Sequence, residues 1–363
     1  MTSPMQTDTE TVKTLNINPD SMSCYLGLRH LPRQGMQWTR GVAPTLPQAD
    51  APTRLVSSSE AILETLHDLM PRDPDLGILL SGGIDSAILA AIAPKGTPCF
   101  TISFDAPGAA DESIAAKAYA ARWEHPHHVV RVGWDHYEAH ATDLMANKGS
   151  PLHAVEVPLH LAALRARELG VGGLLVGNGA DSTFGGMDKL LCVDWSFSDF
   201  MKRYLFVDPA LILKDPTDLS GTFAPYRKAD GIDVQRFLRE IHGQGIVQSF
   251  ENAIHSAGLD IVAPYEAMTH DGALDLDRIR AGEPKYLLQQ LFRDLYETTD
   301  VPEKVPFARP MDVWMAGWSG PKNSRREFRP DVATQLASMS GEARFLVWCL
   351  TEFIEQIERD LDV

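Results

Sequence analysis

The sequence predicts an α/β protein: a parallel sheet with helices on both faces, followed by a mainly helical C-terminal part. Three observations predict it. From residue 55 to residue 177 short apolar runs alternate with amphipathic ones, the order that builds a parallel sheet covered on both sides. Strand-like runs then become scarce, and apolar residues fall at helical spacing. Apolar residues make up 44% of the 363-residue chain, enough for a sizeable core.

Each element follows in order. Residues 1–20 are polar and are expected to be disordered. Residues 24–46 carry short apolar stretches broken by Pro and Gly, which fit a hairpin, and "PQADAPT" (47–53) reads as a linker. "SSSEAILETLHDLM" (57–70) opens on a serine cap with Glu60 in its first turn and predicts a helix. "LGILL" (76–80) predicts a buried strand, "DSAILAAIA" (85–93) a helix closed by Pro94, "CFTISF" (99–104) a strand and "DESIAAKAYAARW" (111–123) a helix. "HHVVRV" (127–132) predicts a third strand, "VPLHLAALRARELG" (157–170) a helix ending at Gly170, and "GLLVG" (173–177) a fourth strand. Two apolar stripes predict helices over 284–299 and 342–361. The expected division is an N-terminal extension and linker over 1–54, an α/β core over 55–200, and a mainly helical part over 201–363. Residues 205–255 are the least legible and are expected to line the substrate pocket.

Composition narrows the function. Lys and Arg total 33 against 49 Asp and Glu, a net charge of −16. That balance disfavours a nucleic-acid partner, which usually meets a basic face. Cys24, Cys99, Cys192 and Cys349 form no C-x-x-C pair, so they read as reduced thiols rather than a zinc site or disulfide framework. No apolar run approaches the ~20 residues of a membrane span, and the N-terminus lacks a signal-peptide pattern. A soluble, cytoplasmic protein with no membrane partner is expected. His125, His127 and His128 look like a metal cluster, but alternate strand positions face opposite ways, and they read as strand-entry residues.

The junction "SGGIDS" (81–86) carries the chemistry. It follows a strand and opens a helix, whose first-turn amides have no partners inside it and carry partial positive charge. Two glycines let the backbone bend and approach an anion without a Cβ in the way. Ser81 and Ser86 add hydroxyls. The assembly reads as a phosphate cradle. The spacing matches neither G-x-x-x-x-G-K-[ST] nor G-x-G-x-x-G. Asp85, a carboxylate beside a phosphate site, makes sense if Mg²⁺ lies between them. On its own the pattern also suits an ordinary turn with a first-turn acid.

The hexapeptide resembles the loop of the ATP pyrophosphatases, enzymes that cleave ATP to AMP and pyrophosphate on an adenine nucleotide α-hydrolase (PP-loop) fold. "FTISFDAPGAADESIAAKAYAARWEHPHHVVRV" (100–132), "LLVGNGADSTFGGM" (174–187), "LDIVAPYEAMTHDGAL" (259–274), "KYLLQQLFRD" (285–294) and "PEKVPFARPMDVW" (302–314) resemble, in order, segments of asparagine synthetase. The resemblance covers roughly 57–325 and extends to β-lactam-forming synthetases of the same family. It implies an ATP-dependent carboxylate–amine ligase, with ATP and Mg²⁺ as cofactors and a small carboxylate plus ammonia or an amine as substrates. It implies that Ser81, Gly82, Gly83 and Ser86 bind ATP phosphates, that Asp85 and Asp181 hold Mg²⁺, and that Gly177 and Gly179 let a second loop approach the nucleotide. Lys304 matches the family's catalytic lysine, a fixed cation aimed at developing charge. Lys304 as a surface lysine, and Asp181 as a helix cap, are the structural alternatives.

The match breaks in places. Asn178 stands where the family has an acid, and Ser182, Gln289 and Met187 replace a glutamate, an arginine and a tyrosine. Asn178 keeps the place of a catalytic residue, but an amide is no general acid or base near neutral pH, which leaves the proton acceptor unnamed. Only 75 residues precede the first predicted sheet strand, so no fused glutaminase is expected. The amine then comes from free ammonia, from a separate glutaminase, or from an amino substrate. Ring closure within one substrate is the subsidiary reading. A catalytically degenerate nucleotide binder and a tRNA-modifying enzyme are the rivals, the latter disfavoured by acidity and unpaired cysteines.

Overall fold

A computed structural model describes residues 15–45, 53–71, 75–302, 309–321 and 325–361. In chain order its strands are β1 (Arg54–Val56), β2 (Leu76–Leu79), β3 (Cys99–Phe104), β4 (His127–Val132), β5 (Gly173–Leu175), β6 (Arg227–Lys228), β7 (Gly231–Ile232), β8 (Asp260–Val262) and β9 (Met268–His270). Five of them form one parallel sheet in the order β4-β3-β2-β5-β8. β1 and β9 pair by themselves, also parallel, and β6 and β7 make a small antiparallel hairpin. The chain lays β2, β3 and β4 outward in one direction, then returns to set β5 on the other side of β2. The switch therefore falls between β2 and β5, and ligands bind in the crevice beyond the carboxyl ends of such strands.

The four sheet strands expected from apolar runs are present. All six residues of β3 are buried, as a central strand covered on both faces requires. On one side the Ser59–Leu69, Ile84–Ile92 and Tyr286–Tyr296 helices pack Ile62, Leu66, Ile88, Leu288 and Phe292 into a common cluster with Ile78 and Leu175. Another cluster joins Phe100, Leu174 and Val176 to Ala163 and Ile254. The Ser59–Leu69 helix starts at Ser58, whose hydroxyl accepts from the Ala61 amide at 3.2 Å.

Three parts differ from expectation. The fifth strand, β8, is three residues long and gave no periodic signal. The Trp134–Lys148 helix was not predicted, although Tyr137, Ala141, Leu144 and Met145 are buried at helical spacing; Lys148, the next member of that stripe, disguises it. The hairpin expected over 24–46 is instead the end of a helix, Pro19–Leu28, followed by a turn bridged at Thr39 and Val42. Asn18 caps this helix and Pro19 occupies its first turn. Its eight residues from Ser21 to Leu28 are buried, and its neighbour Trp38 packs edge-on to Phe353 of the long Gly341–Asp360 helix at 5.2 Å. Leu15 and Ile17, inside the stretch expected to be disordered, join the same core.

Residues 1–14, most of the 47–53 linker, and Lys304 lie outside the described residues. Cys24, Cys99 and Cys349 are buried free thiols, and Cys192 is exposed. Among the described residues no helix is long and apolar enough to cross a membrane.

Candidate functional site

β2 ends at Leu79, and after the buried Leu80 and the three residues 81–83 the Ile84–Ile92 helix begins. Its cap position, Gly83, supplies no side-chain acceptor, so the first-turn amides keep their capacity for an external anion. The loop is held from within. The Ser86 hydroxyl lies 2.9 Å from that of Ser81 and accepts from the Ser81 amide at 3.0 Å, while the Gly83 amide donates to the Ser81 hydroxyl at 3.1 Å. The Gly82 amide donates to a Glu112 carboxylate oxygen at 3.0 Å. An anionic oxygen of the protein thus already sits on this loop.

The glycines are not there for the bend. Neither Gly82 nor Gly83 has a positive φ, and a Cβ on either would meet nothing nearer than 3.4 Å. A Cβ on Gly82 would touch Ala115 and Glu112, and one on Gly83 the Ser81 hydroxyl, so what suits the loop to a phosphate is the first turn of the helix it opens.

The second loop follows β5. Gly177 passes so close to the first loop that a Cβ would stand 3.2 Å from Asp85 Cβ and 3.3 Å from the Ser86 amide nitrogen. Gly179 has φ +89°, and a Cβ there would meet the Glu266 amide nitrogen at 2.8 Å. Here the glycines are needed for close approach between protein parts. They allow the short Ala180–Phe184 helix to present Asp181 beside Asp85.

The two aspartates meet at one cation. Lys285 Nζ lies 2.9 and 2.7 Å from the Asp85 oxygens and 3.0 Å from an Asp181 oxygen. Lys285 is itself left-handed (φ 54°) at the entry to the Tyr286–Tyr296 helix, and is buried. Burial opposes its charge, but Asp85 and Asp181 more than offset that and hold its pKa above the ordinary lysine value. Tyr265 and Tyr296 donate to the Asp85 and Ala87 carbonyls at 3.1 and 2.9 Å and fix the first helix. Two carboxylates against one ammonium leave a net negative charge, and both reach the same cation. With phosphate oxygens they suit Mg²⁺, which keeps most of its water; among the described residues no group of three metal-binding side chains exists.

Asn178 donates its amide to Glu266. Burial, and then the charge of Glu251, push the Glu266 carboxyl up to about 8. No motif singled out Glu266 or gave Lys285 a role, although both lie in segments that carried the resemblance. Of the residues singled out from the sequence, the structure brings together Ser81, Gly82, Gly83, Asp85, Ser86, Gly177, Asn178, Gly179 and Asp181; Lys304 is outside the described residues. Ser182 donates to the Gly179 carbonyl, and Gln289 to the Pro284 carbonyl. The three histidines separate as expected: His125 meets the Ala90 carbonyl, His127 the Thr101 hydroxyl, and His128 stacks on Phe100.

No curated protein matches the chain. Among solved structures it is similar to the U34-tRNA thiolase NcsA from Methanococcus maripaludis with its 4Fe-4S cluster, at 11% identity over 79% of each chain and a TM-score of 0.31. Residues 58–246 match the asparagine synthase family. That stretch is more than half of the chain and contains β2 to β5 with both loops of the site. The protein therefore belongs to the asparagine synthase family, whose members use ATP.

Proposed function

We propose that the protein is an ATP-dependent carboxylate–amine ligase. It passes AMP from ATP to a carboxylate, releasing pyrophosphate, and forms an amide when ammonia or an amine displaces the AMP. The observation that carries this reading is the meeting of Asp85, Asp181 and Lys285 beside the first-turn amides of the Ile84–Ile92 helix.

The division of labour follows from the geometry. The loop amides and the Ser81–Ser86 pair orient the phosphates. Asp85 and Asp181 would hold Mg²⁺, which supplies positive charge against the departing pyrophosphate. Lys285 holds the two carboxylates in place and adds a fixed positive charge close to the same phosphates. Lys304 is assigned the family's catalytic lysine role on resemblance alone.

Amide formation releases a proton from the attacking nitrogen, and the ionised form of Glu266, whose share grows as pH rises towards about 8, is the acceptor this site offers. A base is most effective when its pKa lies near the working pH, and burial holds Glu266 at about 8. Asn178 then positions that carboxylate by donating to it and moves no proton itself.

The test is exchange of labelled pyrophosphate into ATP over a panel of carboxylic acids, with Mg²⁺ and ammonium present. Exchange that depends on a particular acid, and is lost in Asp85→Asn, is the expected result. A folded protein that takes up no MgATP, or supports no exchange with any acid, overturns the reading. Product mass separates an intermolecular amide from ring closure within one substrate.

A further inference from the structure

The ammonium of Lys285 fills the place where the two aspartates of the candidate site converge. It has three hydrogens to donate, and three carboxylate oxygens surround it. Both oxygens of Asp85 lie at 2.9 and 2.7 Å, and one of Asp181 lies at 3.0 Å. Its donors are therefore fully used.

Neither side of this contact is loose. Lys285 enters the Tyr286–Tyr296 helix in the left-handed conformation (φ 54°), which a residue with a side chain adopts only where its surroundings hold it. Its side chain is 8% exposed. Asp181 is hemmed in by Gly186, since a Cβ there would collide with Oδ1, the atom that faces Lys285. The Asp181 side chain is nevertheless 40% exposed, so ions in solution reach the pair.

A divalent cation approaching these carboxylates meets the ammonium already there. Mg²⁺ binds oxygens at about 2.1 Å. An ion held by Asp85 would then lie close to an ammonium bonded to both oxygens of that residue. Two cations so close repel, most of all where burial limits screening. Among the described residues no group of three metal-binding side chains exists, so the protein alone offers a bare ion little to offset that repulsion. Phosphate oxygens change the balance. They bring the negative charge that a second cation needs, and they give the ammonium other acceptors for the oxygens that the metal takes.

We infer that Lys285 is a built-in counter-ion that keeps a bare divalent cation off Asp85 and Asp181, so that the site accepts metal and nucleotide only as one complex. Lys285 thereby sets what the site selects, besides holding the carboxylates. The inference rests on the reading of this site as one for MgATP; it does not depend on which acid or amine is joined.

The test uses full-length protein and two titrations. Bare Mn²⁺, a paramagnetic probe in place of Mg²⁺, is followed by electron paramagnetic resonance. The non-cleavable α,β-methylene analogue of ATP, with saturating Mg²⁺, is followed by calorimetry. Wild type should bind the Mg²⁺–analogue complex, and bare Mn²⁺ at least about tenfold more weakly than that complex. Lys285→Met, which keeps an unbranched side chain and removes the charge, should bind bare Mn²⁺ at least about tenfold more tightly than wild type. Adding Asp181→Asn should abolish that gain, and Lys285→Arg, which keeps the charge, should not show it. Bare Mn²⁺ held by wild type as tightly as the complex overturns the inference, and so does Lys285→Met without a gain. No uptake of the complex by wild type, with the Mn²⁺ gain of Lys285→Met intact, instead overturns the ligase reading. Should Lys285→Met fail to fold, Lys285→Gln takes its place with the same expected gain.

Discussion

At the scale of single residues the site works by answering a buried cation with two carboxylates. Lys285 is buried because two aspartates pay its desolvation, and the aspartates stay close to one another because Lys285 lies between them. Glu266 shows the opposite case, a carboxyl that burial keeps protonated near neutral pH. Its folded pKa is raised, so its contribution to stability is complete below the unfolded carboxylate range and falls as pH rises towards about 8. Glu266→Gln should flatten that decline, as thermal melts between pH 5 and 9 will report. The same variant should slow amide formation by about 100-fold and abolish its rise with pH, while pyrophosphate exchange persists. Equal losses in both half-reactions would show that Glu266 does not accept the proton. Asp85 and Asp181 were legible because each lies in a local pattern beside glycines. Glu266 was not, being one acid among 49 Asp and Glu residues; it becomes distinctive only when folding brings it against Asn178 and Gly179.

Elements are locked by polar contacts as much as by apolar stripes. Glu156, at the start of the Glu156–Glu168 helix, accepts from Lys148 at 2.6 Å, from the His153 amide at 2.6 Å and from Asn252 at 2.6 Å. Lys148 and Glu156 are 1% and 0% exposed, so the pair joins two helices out of reach of water, and Asn252 ties in a third, Gly243–His255. Lys148→Met leaves an uncompensated carboxylate in the interior and should cost about 3–5 kcal/mol in chemical denaturation. A loss below about 1 kcal/mol would mean that Asn252 and the amide satisfy Glu156 alone. The Trp134–Lys148 helix escaped the sequence reading for this reason. A lysine in an apolar stripe signals an exposed face until its buried partner is known, and that partner lies across a turn.

For the whole molecule the N-terminal helix is part of the core rather than an appendage. Met22, Tyr25, Leu26, Leu28 and Leu31 are nearly inaccessible, and Tyr25 donates to the Leu152 carbonyl at 2.7 Å. Each such side chain contributes about 1.5–3 kcal/mol when buried. Their joint removal approaches the whole stability of a typical domain, about 5–15 kcal/mol. A chain starting at residue 53 should therefore lose cooperative unfolding by circular dichroism. A sharp transition in that truncated chain would show that the remainder folds independently.

The sequence by itself determined the parallel α/β sheet, four of its five strands, the glycine-bearing loop at Ser81–Ser86 and the aspartates beside it, because these are short-range patterns of backbone and burial. Only the tertiary structure decided that Lys285 joins Asp85 to Asp181, that Glu266 faces Asn178, and that the first helix belongs to the C-terminal core. Those are meetings between residues from 88 to 200 positions apart, and an interaction energy exists only once the rest of the chain has brought its partners into contact against the entropy of ordering them.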